Sequence, residues 1–284
     1  MVTHGAASNP FFSPIENGAK QAAKDFNIDF SYEAPQDGSP TEEAQLIKAA
    51  IAKKPDGLIV TDPNEKAIDP AIQQAVKAGI PVVIFNAGED VYQELGAIGF
   101  VGQSEELAGQ QAGQKMADAG VTHLLCVIQQ PLNVLYTRCN AAKASMEKAG
   151  GQSTQLVVDG NDPTSSQRQI AAALSQDSSI DGILTLGEIG FQPAMAAIKQ
   201  QSAEGKVKIG TFDMSDDDLA GVKDGSVLFV VDQQQYLQGY EPMAMIAQYA
   251  RYKLAPLNPY VTGPSFVTKD NVESVEALIK QGIR

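Results

Sequence analysis

The sequence predicts an α/β protein made of two doubly wound parallel-sheet lobes. Short runs rich in Val, Ile and Leu alternate about ten times with amphipathic helical patterns along the 284 residues. Such alternation is typical of parallel sheets covered by helices. About five strand units fall in each half of the chain, which favours two sheets over one very wide sheet.

The predicted strands are short apolar runs, and helical patterns fill the intervals between them. The strands begin near Val2, Ile28, Gly57, Pro81, Ala97, His123, Leu156, Gly182, Val207 and Val227. The helices span 10–26, 41–54, 68–78, 104–119, 134–149, 165–174, 192–201 and 216–223. A longer helix over 235–252 follows the last strand. After an irregular stretch with three prolines, a short helix spans 271–279.

No Gly/Ser-rich or Pro-rich linker separates the halves, so several crossings of the chain are expected to form a multi-crossing hinge. The N-terminal lobe is expected to comprise 1–102 plus 235–263, and the C-terminal lobe 103–234 plus 264–284. The expected hinge segments lie near 102–104, 232–235 and 262–265.

Composition and charge exclude several classes of function. The formal net charge is −13, and scattered basic residues argue against nucleic acid as a partner. The longest apolar runs are far shorter than the ~20 residues that cross a bilayer. The start of the chain lacks the basic, apolar and small-residue parts of an export signal, so we expect either a cytosolic protein or one whose signal has been removed.

Enzyme motifs are missing from the sequence. No G-x-S-x-G, H-E-x-x-H or phosphate-loop pattern occurs, and no G-x-G-x-x-G follows the first strand. His123 begins a strand, away from the carboxyl edge. The acidic run from Asp216 to Asp218 is interpreted as a helix N-terminus rather than a metal site. We therefore expect no cofactor, no metal and no enzymatic activity.

The stretch "SNPFF" combines a helix start with two adjacent aromatic residues. Asn9 can cap the helix that Pro10 begins. Because successive helical residues point about 100° apart, one of Phe11 and Phe12 can enter the core while the other faces the strand ends. Open α/β sheets bind ligands at those ends, where an aromatic ring suits the C–H face of a sugar.

Polar residues follow other predicted strands. Asn86 ends "VVIFN", either as a turn former or as an amide that binds hydroxyls. Asp213 follows Phe212 beside Ser215, which can cap the next helix; the carboxylate suits paired hydroxyls or is a solvated turn residue. Arg138 lies early in its helix. It is either a surface ion-pair partner or a residue whose guanidinium donates two hydrogen bonds, to a pair of hydroxyls or to a carboxylate.

Seven segments in this order resemble the ribose-binding-protein type of periplasmic sugar-binding proteins, over essentially the whole chain. They are "SNPFF", "GLIVTDP", "IPVVIFN", "GFVGQSEELAGQQAG", "GTFD", "VDQQQYLQGY" and "TGPSFVTKDN". The resemblance implies a type I periplasmic-binding-protein fold. It also implies a monomeric, extracytoplasmic solute receptor of an ABC importer that closes its two lobes on one sugar or sugar-alcohol-like ligand and delivers it to a membrane permease.

The resemblance also assigns a ligand site. It matches Phe11 and Phe12 to the aromatic pair that sandwiches the sugar, Asn9 to the amide before them, and Gln233 to the hinge glutamine. Arg138 matches the helix arginine that contacts the sugar, and Asp213 after Phe212 matches the strand-end carboxylate. The further ligand-binding candidates are His4, Asp62, Asn86, Tyr136, Glu188 and Phe212.

Two departures from the family pattern argue against ribose itself. Asn86-Ala87 stands where ribose binders carry an Asp-Arg pair, and Gly187-Glu188 stands where they carry an Asn. His4 and Glu188 are extra polar groups, and they suit a different polyol, deoxysugar or sugar derivative.

Cys126 and Cys139 are too few for a disulfide scaffold and lack metal-site spacing. Export to an oxidising compartment would permit a bridge between them if their α-carbons lie within about 7 Å. Two buried free thiols are the alternative.

Two other functions compete with the receptor. The effector-binding core of a lac-repressor-type transcription regulator has the same architecture, but it needs a helix-turn-helix that the sequence lacks, and the acidic charge does not favour it. The other alternative is a sugar- or nucleotide-processing enzyme, but the sequence shows no identifiable nucleophile, base or phosphate loop for one.

Overall fold

The computed structural model describes residues 1–6 and 8–284, which fold as two compact units. Unit 1 comprises Met1–Ser104, Gln234–Gly263 and Leu278–Arg284, and unit 2 comprises Glu105–Gln233 and Pro264–Ala277. Both units carry sheets with helices in α/β order, so the predicted fold class is confirmed. The role of these units as lobes that close about a hinge stays a prediction.

The last seven residues were expected in the lobe that contains 264–277, but they belong to unit 1. The side-chain amide of Asn17, in the first helix of unit 1, donates a hydrogen bond to the carbonyl oxygen of Gly282 at 3.3 Å. The chain therefore has a further crossing, after Ala277, that the sequence did not indicate.

The sheet of unit 1 has the strand order β1-β2-β3-β9. Its strands are parallel to their neighbours and comprise β1 (Leu58–Val60), β2 (Val82–Phe85), β3 (Gly99–Gln103) and β9 (Tyr260–Gly263). Residues of β1 and β2 are buried throughout, as expected for strands covered on both faces. The carboxyl ends of β1 and β2 deliver Asp62 and Asn86.

The two strands predicted near Val2 and Ile28 are reduced to isolated bridges. Val2 pairs in parallel with Glu33 on one side and with Val60 on the other. Only Met1 to Thr3 lie between those neighbours, so the pairing is too short to count as a strand.

Unit 2 contains a six-stranded sheet of order β10-β8-β7-β6-β4-β5. Its strands are β4 (His123–Ile128), β5 (Gln152–Val157), β6 (Gly182–Thr185), β7 (Lys208–Phe212), β8 (Val230–Asp232) and β10 (Ser265–Val267). All neighbours are parallel except β10 and β8. Strand β5 begins four residues before the predicted Leu156, because this edge strand is polar and largely exposed.

Each predicted helix is present in the described chain, with ends shifted by a few residues. The helices are α1 (Ser13–Phe26), α2 (Pro40–Ala52), α3 (Glu65–Lys77), α4 (Glu105–Asp118), α5 (Asn133–Lys148), α6 (Pro163–Gln176), α7 (Glu188–Gln200), α8 (Asp216–Asp224), α9 (Gln235–Tyr252) and α10 (Val272–Ile279). A short 3₁₀ turn, Pro10–Phe12, precedes α1. The acidic run that begins α8 forms a capping box between Ser215 and Asp218, as its interpretation as a helix start predicted.

The stretch expected to be irregular, with prolines at 256, 259 and 264, contains two short strands. Strand β9 pairs with β3 in unit 1, and β10 pairs with β8 in unit 2. Pro264 lies between them, outside both strands, where its missing N–H interrupts no ladder. Pro259 and Pro264 therefore mark the ends of β9 rather than the absence of a strand.

Helices α4 and α5 of unit 2 approach each other closely because of Gly109. A β-carbon at Gly109 would lie 2.3 Å from the carbonyl oxygen of Arg138 and 2.8 Å from the β-carbon of Ala141. Only glycine fits that contact. The contact fixes the backbone of α5 at Arg138, the residue that carries a candidate site side chain.

A disulfide joins Cys126 of β4 to Cys139 of α5, whose α-carbons are 5.9 Å apart. Of the two alternatives left open by the sequence, the bridge is the one found. Both cysteines are fully buried in the core of unit 2. The bridge ties the strand to the helix that follows it.

Within the two described stretches of the chain, no helix combines the length and the apolar character needed to cross a membrane.

We expect the variant Cys126→Ala/Cys139→Ala to be less stable than the unaltered protein by about 2–3 kcal/mol, because the bridge closes a short loop. Thermal unfolding followed by circular dichroism measures the change. Dithiothreitol should lower the unfolding temperature of the unaltered protein and leave that of the variant unchanged. Two reactive thiols per chain in the denatured, unreduced protein would contradict the bridge.

Glu43 is a fully buried carboxyl group in α2. Its Oε1 atom accepts a hydrogen bond of 2.6 Å from the hydroxyl of Thr61. Burial, with a smaller contribution from the nearby Asp62, raises the pKa of Glu43 to about 8 against the opposing effect of the hydrogen bond from Thr61. Between about pH 4.5 and pH 8 the folded protein therefore binds a proton at Glu43 that the unfolded chain has released.

We expect Glu43→Gln to reduce the fall in stability as the pH rises from 5 to 8. Because the folded-state pKa is raised, the free energy of unfolding falls as the pH rises through this range. The total loss is on the order of 1.4 kcal/mol for each unit by which the folded-state pKa exceeds the unfolded-state pKa. Urea unfolding at several pH values measures the effect. The exposed Glu94→Gln should leave the pH dependence as it is. Parallel curves for Glu43→Gln and the unaltered protein would contradict the buried proton.

Candidate functional site

The aromatic pair of unit 1 divides between the core and the surface of that unit. The carboxamide oxygen of Asn9 accepts a hydrogen bond of 3.1 Å from the backbone N–H of Phe11, so the predicted cap is confirmed. Phe12 is 4% exposed and lies in the core, whereas Phe11 is only partly buried. Phe11 is therefore the ring with surface left for a ligand, and Phe12 supports it edge-to-face at 5.0 Å.

His4 lies at the tip of the bridged segment and contacts the same ring. Its imidazole packs edge-to-face against Phe12 with ring centroids 5.2 Å apart. Burial lowers the pKa of His4 to about 4, so the ring is neutral at physiological pH, and its Nδ1 atom has no hydrogen-bond partner in the described structure. The next residue, Gly5, leaves room for Phe12, because a β-carbon there would lie 1.9 Å from the ring.

Asp62 follows β1 and is 4% exposed. Its backbone N–H donates to the carbonyl oxygen of Ala87 at 2.9 Å, which joins the loops that follow β1 and β2. Burial, together with the adjacent carboxyl group of Asp69, raises the pKa of Asp62 to about 8. At neutral pH this side chain can therefore donate as well as accept a hydrogen bond.

Asn86 follows β2 with a left-handed backbone (φ 61°), which asparagine adopts more readily than most residues. Its side-chain nitrogen donates a hydrogen bond of 2.9 Å to Oε1 of Gln238 in α9. Gln238 in turn donates to the hydroxyl of Thr262 at 3.1 Å. Asn86 thus forms part of a buried polar chain that joins β2 to α9, in addition to any contact with a ligand.

The centre of the candidate site in unit 2 is the buried guanidinium of Arg138. Its Nε and Nη2 atoms donate to the two carboxylate oxygens of Glu105, and its Nη1 donates to the carbonyl oxygen of Leu186 at 3.0 Å. The guanidinium stacks 4.6 Å above the ring centroid of Phe212. Although burial opposes the charge, Glu105 and Asp213 raise the pKa of Arg138 further. The arginine is therefore a fixed cation rather than a surface ion-pair partner.

Asp213 turns the chain at the end of β7 with a left-handed backbone (φ 65°) and is 7% exposed. Its Oδ1 atom accepts a hydrogen bond of 2.6 Å from the side-chain amide of Gln233. Burial raises the pKa of Asp213 to about 7, while Arg138 and Gln233 oppose the shift. It is not a solvated turn residue.

Gly187 and Glu188 bring further polar groups to the same edge of the sheet. A β-carbon at Gly187 would lie 3.2 Å from Oδ2 of Asp213 and 2.8 Å from the side-chain nitrogen of Gln129, so a larger residue would require these side chains to shift. Glu188 begins α7 and is half-buried; burial and the charge of Asp213 raise its pKa to about 7. Gln129 is buried, and its Oε1 atom has no hydrogen-bond partner among the described residues.

The two aromatic candidates of unit 2 differ in exposure. Phe212 has no exposed surface and lies in the core beneath Arg138, which corrects its expected place beside a ligand. It positions the arginine. Tyr136 is half-buried and packs against the same core, so a ligand contact by Tyr136 stays a prediction.

Three buried residues of these networks were missed by the sequence reasoning. They are Glu105, Gln129 and Gln238. Glu105 stands in the first turn of α4, where an acidic residue is ordinary because of the helix dipole, so no local signal marks it. Gln129 directly follows β4, and its place at a strand end was the available signal.

Each unit thus presents groups suited to neutral, hydroxyl-rich molecules at the carboxyl ends of its strands. Unit 2 offers a fixed cation, a carboxyl group and two amides, which donate to and accept from hydroxyls. Unit 1 offers the partly exposed ring of Phe11 and the neutral imidazole of His4. In the part of the chain that the structure describes, no three His, Cys, Asp or Glu side chains group as metal ligands would.

Comparison with known proteins gives consistent matches. Residues 1–254 match a family model described as a periplasmic binding protein domain. The xylose/arabinose-binding protein XylF of Sulfolobus acidocaldarius is 25% identical over 290 residues, which cover 96% of this chain and 71% of that protein. The D-ribose/D-allose-binding protein of Pseudomonas aeruginosa is 24% identical, over 80% of this chain and 74% of that protein.

Solved structures agree with these relatives. A carbohydrate transporter from Acidothermus cellulolyticus, crystallised with myo-inositol, is 39% identical with a TM-score of 0.92, and the match covers 100% of this chain and 98% of that one. A periplasmic ribose ABC transporter from Conexibacter woesei shares the fold with a TM-score of 0.85 at 24% identity, over 100% of this chain and 96% of that one. The repressor alternative has no support among these proteins. The family model and the structural match both span most of the sequence, and the chain belongs to the periplasmic binding protein family.

Proposed function

We propose that this protein is the solute receptor of an ABC importer and that it binds one sugar or sugar-alcohol-like ligand with the strand-end residues described above. The observation that carries the proposal is the network of Arg138, Asp213 and Gln233, whose polar groups are buried and oriented by their neighbours. A carboxylate and a guanidinium held in place can bind the paired hydroxyls of a polyol without first being ordered.

Within that class, we propose a cyclic polyol or a pentose as the ligand. The Acidothermus cellulolyticus protein carries myo-inositol, and the names of the relatives describe xylose, arabinose, ribose and allose as ligands of those proteins. The neutral imidazole of His4 and the half-buried Glu188 are polar groups that the pattern of ribose binders does not include. Both add hydrogen-bonding groups for a ligand. Ribose is therefore the less favoured pentose.

The remaining parts of the role follow from this class. We propose an extracytoplasmic location, which the Cys126–Cys139 bridge supports because disulfides persist in oxidising compartments. The partner is a membrane permease, and the protein acts as a monomer without catalysis. Closure of the two lobes on the ligand, which the family resemblance implies, stays a prediction.

Isothermal titration of the purified protein with myo-inositol, xylose, arabinose, ribose, allose, glucose and galactose tests the ligand class. We expect one compact group of cyclic polyols or pentoses to bind, and to stabilise the protein by about 2.7 kcal/mol at 100 times the dissociation constant. Any ligand retained from the expression host is first removed by unfolding and refolding. Failure of every one of these compounds to bind the refolded protein would contradict the proposal.

We expect ligand affinity to increase by about tenfold from pH 6 to pH 8. The pKa of Asp213 is raised to about 7 by burial, so only about a tenth of the protein has the hydroxyl-accepting carboxylate at pH 6. The isosteric change Asp213→Asn should weaken binding by roughly 10- to 100-fold and make this pH dependence smaller. Titration calorimetry at pH 6, 7 and 8 measures both effects.

The exposed Asp216→Asn is the matched control, since it makes the same substitution three residues away in the first turn of α8. It should bind like the unaltered protein. Thermal unfolding without ligand confirms that both variants are folded. Unchanged affinity in folded Asp213→Asn would remove this residue from the site while leaving the receptor proposal to the titration panel.

A further inference from the structure

Exposed apolar side chains concentrate in one segment of unit 1, which runs from the end of α9 into β9. Of the eight large apolar side chains that are exposed in the two described stretches of the chain, five lie within residues 252–261. They are Tyr252, Leu254, Leu257, Tyr260 and Val261. Leu257 is 92% exposed, so it makes almost no contact with its own fold. Single exposed apolar residues are ordinary, whereas a concentration of them marks an interaction surface.

The segment 252–261 lies at the amino ends of the strands of the unit 1 sheet, beside the outer strand β9. Strand β9 begins at Tyr260 and pairs in parallel with β3. Pro256 packs against the first residue of β3, because a β-carbon at Gly99 would lie 3.2 Å from Cγ of Pro256. Asp62 and Asn86 follow the carboxyl ends of β1 and β2, which form the opposite edge of this sheet. The segment is therefore separate from the candidate ligand residues of its unit.

The backbone of the segment is constrained. Helix α9 ends at Tyr252, and Lys253 adopts a left-handed backbone (φ 59°) whose N–H donates to the carbonyl oxygen of Tyr249 at 2.9 Å. Pro256 and Pro259 fix their own φ angles on either side of the most exposed leucine. Little conformational entropy is therefore lost when the apolar side chains meet a partner.

The charges next to the segment are positive, although the net charge of the chain is −13. No Asp or Glu occurs between Glu241 and Asp270, whereas Arg251 and Lys253 are both exposed. Among the described residues neither cation forms an ion pair: Arg251 donates to the carbonyl oxygen of Phe26, and Lys253 lies over the ring of Tyr249. Because salt screens charges beyond about 8 Å, these two cations act at the segment more strongly than distant carboxylates do.

We propose that the segment 252–261 contacts a membrane surface, and that its partner is the anionic headgroup layer of a lipid bilayer. Leu254 and Leu257 enter the boundary between headgroups and acyl chains, as apolar side chains of peripheral proteins do. Tyr252 and Tyr260 lie at the level of the headgroups, where amphipathic rings are favoured. The two adjacent cations bind lipid phosphates.

A lipid surface is favoured over a protein partner by the exposure of Leu257. A protein interface needs a complementary pocket for a protruding side chain, whereas a fluid lipid layer accepts it without one. The positive charge of the segment also matches anionic headgroups. This contact does not rest on the ligand proposed above, because no residue of the segment belongs to the candidate site.

Single-tryptophan variants test the contact, since the chain contains no tryptophan of its own. Leu257→Trp places the reporter in the segment, and Leu107→Trp, at an exposed leucine of α4 in unit 2, is the matched control. The probes are vesicles of phosphatidylglycerol mixed with phosphatidylcholine, and vesicles of phosphatidylcholine alone. We expect the anionic vesicles to shift the emission of Leu257→Trp to shorter wavelength, and brominated acyl chains to quench it. The control should show neither effect.

Cosedimentation with the anionic vesicles measures the contribution of each group. The double variant Leu254→Ser/Leu257→Ser should bind about tenfold more weakly, and Lys253→Gln about fivefold more weakly. Leu107→Ser and Lys148→Gln make the same changes at exposed positions of unit 2 and should bind like the unaltered protein. All four variants should unfold at nearly the same temperature, because the substituted side chains are exposed.

Failure of the unaltered protein to sediment with the anionic vesicles would overturn the proposal, and so would unchanged binding by the folded double leucine variant. Equal binding to the two kinds of vesicle would overturn the anionic headgroup as the partner. Equal quenching of the two tryptophan variants would show that the segment has no special role. A dimer that forms without lipid binding, and that the double leucine variant loses, would assign the segment to a second copy instead.

Discussion

The arrangement of unit 2 depends on the buried ion pair between Glu105 and Arg138. A guanidinium withdrawn from water is tolerated only when its charge and its N–H groups are satisfied. Glu105 in α4, Leu186 just after β6 and Phe212 in β7 do this together. Removal of Glu105 would leave a buried cation, so the pair constrains α4, α5 and the ends of β6 and β7 together. Gly109 makes the pair geometrically accessible, because it lets α4 approach the backbone of Arg138.

Unit 1 is organised by packing rather than by charge. Phe12 fills the space left by Gly5 and supports both Phe11 and His4, so one core side chain sets the orientation of two groups at the surface of that unit. The polar groups are mostly neutral here, because burial lowers the pKa of His4 and raises that of Asp62. A neutral polyol loses little when it meets such groups, whereas an unpaired charge would carry a desolvation cost of its own.

Local patterns sufficed to predict the helices, most of the strands and the cap at Asn9, since these depend on periodicity and on residues close in the chain. The positions of Asp213, Asn86 and Glu188 at strand ends followed from the same patterns. The partners were not predictable, because Glu105 and Gln238 reach Arg138 and Asn86 across 33 and 152 residues of sequence. The burial of Phe212 and the strands next to Pro264 likewise depend on tertiary neighbours that no short window contains.

The disulfide has a consequence for the residue beside it. Cys139 follows Arg138 directly, and its partner Cys126 lies in β4, so the covalent link holds the arginine's turn of helix against the sheet. The conformational entropy of fixing that turn is lost when the protein oxidises and folds, before any ligand is present. The disulfide therefore preorganises the arginine for binding. The contribution of Arg138 to ligand affinity depends on formation of the bridge, and so on an oxidising compartment.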